Sequence, residues 1–302
     1  MIARFIGKLL PSGNLKHRFE DVDEINRLPI AEAGVSDDGA PFIRLENGPI
    51  FYGYRPARIH KLVYYLLASS SLRKRVPLVA YKVAWDILHR YWQGGQCNQQ
   101  AQYTLRPGDI VVEAGAFMGY YTLKAAEDVA PSGHVICIEP VEDNRALIAR
   151  NLRANDVHNV TVVPCAVSNE KTTAKFYVQN WQKNSLSPDV AKVNAREISV
   201  DVNTIDDIVA EKGFGSPSLV ILTVNGVELE ALQGMEAVLK GSNVNLVVAA
   251  KYVVNGRPVL DAVLEFLHAK GYETILDRYG FVKNEDPSRQ AVVYARRASE
   301  GH

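Results

Sequence analysis

The sequence is poor in cysteine, and the few cysteines it has are far apart. Its 302 residues contain three, Cys97, Cys137 and Cys165, and no two of them form a CxxC pair. This spacing argues against a disulfide-stapled secreted domain and against a cysteine-based metal site. We therefore predict reduced, buried thiols in a cytoplasmic protein.

Net charge and long apolar runs are also absent. The 34 Lys and Arg residues balance the 34 Asp and Glu residues, so no overall field attracts nucleic acid or anionic lipid. No stretch approaches the roughly 20 apolar residues that span a bilayer. We expect neither a nucleic-acid partner nor a transmembrane segment. Residues 1–10 are amphipathic and could rest on a membrane surface, although packing on the protein itself or a homodimer contact is favoured.

The chain changes character near residue 105. The segment around Glu46-Asn47-Gly48 alternates between apolar and polar residues, which indicates a hairpin because Asn-Gly fits a tight turn. Residues 56–92 have helical spacing, broken near Pro77. We predict a hairpin-plus-helix extension over residues 1–104, acting as a lid or a dimer contact, and a second domain over residues 105–302.

In the second domain, apolar strands alternate with amphipathic helices. The predicted strands are DIVVEAG, HVICIEP, VTVVPCAV, SLVILTV and VNLVVAAKY, followed by the extended segments YETILDRYGF and AVVYARR. The predicted helices lie at 119–129, NRALIARNLRAN, 205–209, VELEALQGMEAVLK and PVLDAVLEFLHAKG, and residues 169–200 form a polar excursion. The pattern predicts an α/β fold, a doubly wound, Rossmann-like, mostly parallel sheet with an antiparallel edge strand.

A glycine loop follows the first of these strands. The segment runs Glu113, Ala114, Gly115, then three residues and Gly119, where a helix begins. Glycines there let the backbone approach a ligand closely, at the edge of the sheet where such folds bind ligands. The spacing lacks the third glycine of a dinucleotide site. It suits a cofactor with an amino-acid tail, S-adenosylmethionine (SAM), whose ammonium could use Glu113.

Glu139 ends the second strand, 24 residues after Gly115 (139 − 115). An acid at this place can accept hydrogen bonds from both ribose hydroxyls of an adenosine. The loop and Glu139 together favour SAM over a glycine turn that merely packs helix on strand.

Four segments in this order resemble the FkbM family of SAM-dependent methyltransferases, over about residues 105–252. They are GDIVVEAGAFMGYYTLKAA, GHVICIEPVEDNRALIARNLRANDVHNVTVVPCAVSN, VNTIDDIV and LVILTVNGVELEALQGM. The resemblance implies a class I methyltransferase sheet and O-methylation of a hydroxyl on a small molecule or glycan.

The resemblance also implies roles for individual residues. The methionine part of SAM would lie in the loop, Glu139 would hold the ribose, and the adenine would lie between the ends of the second and third strands. Phe117 and Tyr120, in and after the loop, are assigned to the cofactor as well. The cofactor residues that the resemblance implies are Gly115, Ala116, Gly119, Glu139, Pro140, Val141, Ala166 and Val167.

The sequence departs from the family where the reacting groups would lie. Glu113 and Phe117 stand in place of aspartate and asparagine in the loop. Ile221, Thr223 and Asn225 replace the lysine, aspartate and glutamate of the fourth strand's K-x-D-x-E-G pattern. The fifth strand ends in Ala250, Lys251 and Tyr252 rather than in an acid. Carboxylates that could serve as base or bind a metal are therefore missing, and the seven histidines show no HxH or HxxxH spacing.

We predict catalysis without a metal, with Lys251 and Asn225 as the catalytic candidates. Lys251, at the end of an apolar strand, could act as a base, although it could also extend to solvent. Asn225 could orient an acceptor hydroxyl or simply occupy a turn. Glu228, Asn184 and Tyr252 are candidate substrate residues. For Glu228 the alternative is helix capping, and for Asn184 and the adjacent Ser185 it is a surface loop.

The sequence therefore predicts a metal-independent SAM-dependent methyltransferase acting on a small molecule or glycan. Three alternatives stay open. One is a catalytically impaired SAM-binding scaffold or partner protein, which the missing carboxylates suggest. Another is an RNA methyltransferase, against which the zero net charge argues. The last is a dinucleotide dehydrogenase, against which the loop spacing argues.

Overall fold

The structure is a computed structural model that describes residues 27–54, 76–77, 80–88, 91, 100–179, 184–241, 243–277 and 291–297. The chain forms two compact units, Met1–Gln93 and Gly94–His302. The predicted amphipathic segment 1–10 and most of the predicted helical region 56–92 lie outside the described residues, as does Cys97.

The first unit contains a small antiparallel sheet and a helix. The strands are β1 (Ile30–Val35), β2 (Pro41–Leu45) and β3 (Ile50–Tyr52), and the helix is α1 (Tyr81–Ile87). The predicted hairpin is confirmed, since β2 and β3 pair around a turn in which Asn47 has a φ of 51°. Val83 and Ile87 of α1 are buried, as their spacing predicts.

The second unit holds strands and helices that alternate along the chain. Its described strands are β4 (Ile110–Ala114), β5 (His134–Ile138), β6 (Val160–Val163), β7 (Ala166–Val167), β8 (Thr172–Val178), β9 (Arg196–Asn203), β10 (Leu219–Leu222), β11 (Asn245–Ala250), β12 (Val253–Val254), β13 (Arg257–Pro258), β14 (Tyr272–Asp277) and β15 (Ala291–Arg297). Its described helices are α2 (Tyr120–Val129), α3 (Glu142–Ala154), α4 (Ile205–Lys212), α5 (Glu228–Gln233), α6 (Glu236–Gly241) and α7 (Val259–Ala269).

Seven of these strands form the central sheet, in the order β14-β15-β11-β10-β4-β5-β6. The pairs from β11 to β6 are parallel, and β15 is antiparallel to both of its neighbours. The central strands are apolar runs that are buried on both faces, as a sheet covered by helices requires. The predicted doubly wound, mostly parallel sheet is confirmed.

The predicted antiparallel edge is confirmed, since the last two strands pair antiparallel at one end of the sheet. The antiparallel strand β15 lies one place in from the edge, and β14 forms the edge. The helix α7 carries the chain past one strand position, so β14 runs parallel to β11, and β15 then fills the gap between them. Two extended segments that are adjacent in the sequence indicate a pair of strands. The sequence does not show which of the two strands also pairs with the rest of the sheet.

The predicted third strand, VTVVPCAV, is two strands rather than one. Proline has no N–H to donate to a ladder, and Pro164 separates β6 from β7. β7 leaves the central sheet and pairs with β9 in a second sheet of order β7-β9-β8. Much of the predicted polar excursion 169–200 therefore consists of the β8–β9 ribbon.

The predicted helix over 227–240 is also divided, into α5 and α6. The break lies at Gly234, where a Cβ would meet the carbonyl oxygen of Ser168 at 2.1 Å. Asp206 of α4 then accepts hydrogen bonds from the backbone N–H groups of Ala237 and Val238, at 2.8 and 2.9 Å. These contacts with distant segments begin a new helix where the local pattern alone favours one continuous helix.

Replacing Gly234 by alanine should destabilise the second unit by about 1–3 kcal/mol, because the added methyl has no room beside the Ser168 carbonyl. Gly241→Ala is the matched control, since nothing lies within 4 Å of a Cβ there. Urea unfolding of both variants measures the effect. Equal midpoints for the two variants would contradict the steric explanation.

Candidate active site

The glycine loop lies at the point where the order of the sheet reverses. β4 pairs with β5 on one side and with β10 on the other, and all three strands end at the same edge. Ligands of open α/β sheets bind in the crevice at such a point. Residues 115–119, which follow β4, and residues 223–227, which follow β10 and are called the β10 loop below, lie on the two sides of this crevice.

The two loop glycines serve protein packing. Gly115 has a φ of +86°, and a Cβ there would lie 2.4 Å from the carbonyl oxygen of Thr223. Gly119 has a φ of +73°, and a Cβ would lie 3.0 Å from Cγ1 of Ile148 in α3. The space that sequence analysis reserved for a ligand beside Gly115 is thus taken by the β10 loop. A side chain at Gly115 would force the two loops apart.

Phe117 has the left-handed backbone conformation that non-glycine residues seldom adopt. Its φ is 57°, and its N–H donates to Glu139 Oε2 at 2.9 Å. Ala116 precedes it, with an N–H directed at the Ile138 carbonyl, and Tyr120 follows the loop as a buried residue at the start of α2. The hydrogen bond to Glu139 compensates for the backbone strain at Phe117.

Glu139 is buried, and its carboxylate is bound by the protein's own donors. Phe117 donates to Oε2. On the other oxygen, Oε1, the N–H of Val141 and Nδ2 of Asn144 donate at 3.0 and 2.9 Å. Burial raises the pKa of Glu139, and these hydrogen bonds act in the opposite direction. A carboxylate has about four acceptor positions, so with three donors in place one position on Oε2 is left for a ligand.

Glu113 is buried in the sheet and accepts a hydrogen bond from Thr122 Oγ1 at 2.5 Å. Thr122 lies in the first turn of α2, so this contact ties the helix to β4 directly behind the loop. The same hydroxyl lies 3.7 Å from Sγ of Cys137, whose pKa burial raises well above its ordinary value. Cys137 is therefore an inert buried thiol, as predicted.

The residues assigned to the adenine side are brought together only in part. Val141 and Ala166 belong to one cluster of buried apolar side chains, with Phe176 of β8. Val167, the next residue, points into the main core instead, because side chains alternate along a strand. Pro140 lies between Glu139 and this cluster, and its carbonyl oxygen accepts from Arg145 Nη1 at 2.5 Å.

On the other side of the crevice, a segment from the β8–β9 connection contacts the β10 loop. Nδ2 of Asn225 donates to the carbonyl oxygen of Asn184 at 2.9 Å, and Ser185 Oγ donates to the carbonyl oxygen of Asn225 at 2.6 Å. Ser185 is completely buried, so the surface-loop interpretation is wrong for it. The structure brings together Asn184 and Asn225, which are 41 residues apart.

Residues 184–190, which we call the covering segment, also lie over Gly226. A Cβ on Gly226 would lie 2.8 Å from Cγ2 of Val190, 3.3 Å from Cγ2 of Val254 and 3.5 Å from Cβ of Ser187. Asp189 Oδ2 accepts from the N–H of Asn255 at 2.6 Å, which attaches the segment to the β12–β13 turn. The covering segment thus closes the crevice beyond the end of β10.

Glu228 is the most unusual group of the site. Its side chain is completely buried, and Oε2 accepts from the N–H of Gly226 at 2.8 Å. Oε1 has no hydrogen-bond partner among the residues that the structure describes. Burial raises the pKa of Glu228 to about 7, although Lys251 lowers it. Capping of α5 is the alternative to a substrate role for Glu228, but its carboxylate accepts from the N–H of Gly226, which precedes the helix.

Lys251 and Tyr252 follow β11 as half-buried residues. Lys251 is close enough for its charge to act on Glu228, and Tyr252 contributes its carbonyl oxygen, which accepts from the N–H of Val259 at the start of α7. The structure therefore gathers Asn184, Asn225, Glu228 and Lys251 near the ends of β10 and β11. Sequence alone does not distinguish Glu228 from Glu230, the second acid in the first turn of α5, because only the fold shows which of the two is buried.

Within the described part of the chain, no three His, Cys, Asp or Glu side chains are arranged to hold a metal ion. Catalysis without a metal stays a prediction. No helix in the same residues has the length and apolar character needed to cross a membrane.

The raised pKa of Glu228 makes stability depend on pH. Ionisation of Glu228 is disfavoured in the folded state. Its burial therefore costs no stability below about pH 4.5, its pKa in the unfolded chain, and the stability of the fold decreases as pH rises from there to about 7. Glu228→Gln removes this cost, on the order of 3 kcal/mol at most. The variant should melt at a higher temperature than wild type at pH 8 and at nearly the same temperature at pH 5.

Glu142→Gln, which removes an exposed acid at the start of α3, is the control for this measurement. It should change the melting temperature by little at either pH. If Glu228→Gln lowers the melting temperature at pH 8, the carboxylate is better compensated in the fold than these contacts indicate.

Comparison with known proteins places this site in a family. Residues 109–274 match the model of the Methyltransferase FkbM domain. Methyltransferase sdnD of Sordaria araneosa is 24% identical over 218 residues, 62% of this chain and 81% of that protein. The 31-O-demethyl-FK506 methyltransferase FkbM of Streptomyces tacrolimicus is 26% identical over 225 residues, 64% of this chain and 84% of that protein.

A solved structure of an FkbM methyltransferase from Methylobacillus flagellatus KT aligns with 72% of this chain, at 18% identity and a TM-score of 0.46. This chain covers 51% of that structure, about half of its length. The family model covers more than half of the 302 residues. The chain therefore belongs to the FkbM family of methyltransferases.

Proposed function

We propose that this protein uses SAM to methylate a hydroxyl group on a small molecule or glycan, without a metal ion. The observation that carries the proposal is the switch point of the sheet, where Glu139 follows β5 and the buried carboxyl of Glu228 lies beyond the end of β10. SAM supplies an electrophilic methyl group when it is bound.

The residues on the cofactor side fit the adenosine part of SAM. Glu139 keeps one acceptor position on Oε2 for a ribose hydroxyl beside the donors that already bind it. Val141 and Ala166, which belong to a buried apolar cluster, would border the adenine ring next to it. The first turn of α2 presents backbone N–H groups to a carboxylate, since the N-terminal amides of a helix lack partners within the helix.

The acceptor side suits a hydroxyl group. Transfer to an alcohol requires alignment of the oxygen with the methyl group and loss of the hydroxyl proton. Asn225, Asn184 and Lys251 offer donors, acceptors and charge at the ends of β10 and β11. A curated relative is named for 31-O-demethyl-FK506, a small-molecule oxygen acceptor, which favours the same substrate class here.

The rival function is SAM binding without catalysis. It rests on Thr223 and Asn225, which stand where carboxylates are expected, and on the commitment of Asn225 Nδ2 to Asn184. The buried carboxyl of Glu228 argues against it, because an acid still lies beyond β10. Tight SAM binding with no transfer to any hydroxyl compound of a cell extract would support the rival.

Glu139→Gln should weaken binding of SAM and of its demethylated product by at least about tenfold, because the amide keeps only one acceptor oxygen and cannot satisfy both the donors that bind Oε1 and the Phe117 N–H and ribose hydroxyl on the other side. Isothermal titration with both nucleosides measures this. Glu142→Gln, an exposed acid at the start of α3, is the control and should bind like wild type. If wild type binds neither nucleoside at high micromolar concentration, the proposal is refuted.

Treatment with EDTA should leave methyl transfer unchanged. Radioactive SAM and a set of hydroxyl compounds, including small glycosides and a demethylated macrolide, serve as substrates, and rates are compared before and after chelation. Loss of transfer on chelation and recovery with Mg²⁺ would contradict metal independence while leaving the methyltransferase assignment intact.

A further inference from the structure

Two buried oxygen atoms without partners flank Gly226. Oε1 of Glu228 and Oγ of Ser187 are both buried, and neither has a hydrogen-bond partner among the described residues. Gly226 connects them, since its N–H donates to the other oxygen of Glu228 and its missing Cβ lies 3.5 Å from Cβ of Ser187. Buried polar atoms nearly always have partners, so two such atoms at one glycine indicate a place for a ligand.

This pair lies next to the cofactor crevice. Gly226 ends a stretch of four residues after β10, and Thr223 at its beginning contacts Gly115 of the cofactor loop. The covering segment shields the pair from solvent through Ser185 and Val190. A ligand group here would therefore be enclosed by protein and would be one strand away from the cofactor loop.

The geometry points to Glu228 as the proton acceptor for the hydroxyl that is methylated, with Ser187 as the second polar contact of the acceptor. This inference rests on the proposed function and names the residue that completes it. The free oxygen of Glu228 accepts the hydroxyl's hydrogen bond, while the Gly226 N–H holds the other oxygen and fixes the carboxylate's orientation.

The transfer step balances with this assignment. The acceptor oxygen forms a bond to the methyl carbon as the bond from carbon to sulfur breaks, and the electron pair of that bond stays on sulfur. The hydroxyl proton moves to Glu228 Oε1 and is later released to solvent. No oxidant, reductant or metal is needed.

The charges around Glu228 suit a proton acceptor that works near neutral pH. Burial raises the pKa of Glu228 to about 7 and the neighbouring Glu230 acts in the same direction, whereas the Lys251 charge lowers it. A base is most effective when its pKa lies near the working pH. Lys251, which sequence analysis offered as the base, thus serves to stabilise the ionised form of Glu228.

Binding of sinefungin tests the inference without an acceptor. This SAM analogue carries an amine in the region of the transferred methyl group. The demethylated product, S-adenosylhomocysteine, has neither a methyl group nor an amine at that position. An ionised Glu228 near that position should favour sinefungin over S-adenosylhomocysteine by about tenfold, the value of one charged hydrogen bond. Titration calorimetry of both ligands gives the ratio of dissociation constants at about pH 6 and pH 8.

In wild type and in the control Glu142→Gln, the preference for sinefungin should increase between these two pH values. In Glu228→Gln it should be reduced about tenfold at the higher pH and should no longer change with pH. Unaltered S-adenosylhomocysteine affinity in Glu228→Gln shows that the variant is folded. Should that variant not fold, Lys251→Met in the same titration decides, because loss of the neighbouring charge should shift the pH dependence upward.

The outcomes separate this inference from the proposed function. If wild type binds neither ligand, the proposed function fails and Glu228 has no acceptor to serve. If both ligands bind and the sinefungin preference is equal in wild type and Glu228→Gln, the proposed function stands and the assignment of Glu228 is overturned.

Discussion

The contact between Gly115 and Thr223 is the constraint on which the site depends. With a Cβ only 2.4 Å from a carbonyl oxygen, no other residue fits at position 115 while the two loops keep their places. Thr223 completes the contact, since its hydroxyl donates to the backbone carbonyls of Ala114 and Gly115. This junction joins the end of β4, where the cofactor loop begins, to the end of β10, which leads to Glu228. The loop proposed to hold the cofactor and the segment proposed to face the acceptor are therefore parts of one edge of the sheet.

Three buried acids lie along this edge, and they differ in how fully the protein's own donors bind their carboxylate oxygens. Glu113 is bound by Thr122, and Glu139 by three donors, so the fold itself compensates for much of the burial of each. On Glu228, Oε2 accepts from the N–H of Gly226, whereas Oε1 has no hydrogen-bond partner among the described residues. An uncompensated buried carboxyl lowers stability, and such costs are typically kept where activity needs them. The acid with an oxygen that no described residue binds is thus the one most suited to act on a ligand.

Sequence patterns predicted the sheet well because the strands are short, continuous apolar runs whose burial depends on local composition. They failed where a distant segment decides the outcome. Gly234 divides a helix because the Ser168 carbonyl occupies its Cβ position, and no local pattern contains that information. In the site, Glu139 could be found from its place at a strand end. The meeting of Asn184 with Asn225 could not, because it depends on how the β8–β9 ribbon folds back.

Two positions that carry acids in the family's pattern carry uncharged side chains in this chain. Carboxylates expected on and after β10 are replaced by Thr223 and Asn225, and both replacements make hydrogen bonds that hold the loops together. Positions that could have carried reacting groups have thereby become structural. The acidic function can move only to a residue that remains at the same edge, is enclosed, and has an oxygen to spare. Glu228, six residues after the end of β10, meets all three conditions. Loss of the expected acids is therefore compatible with a working transfer site.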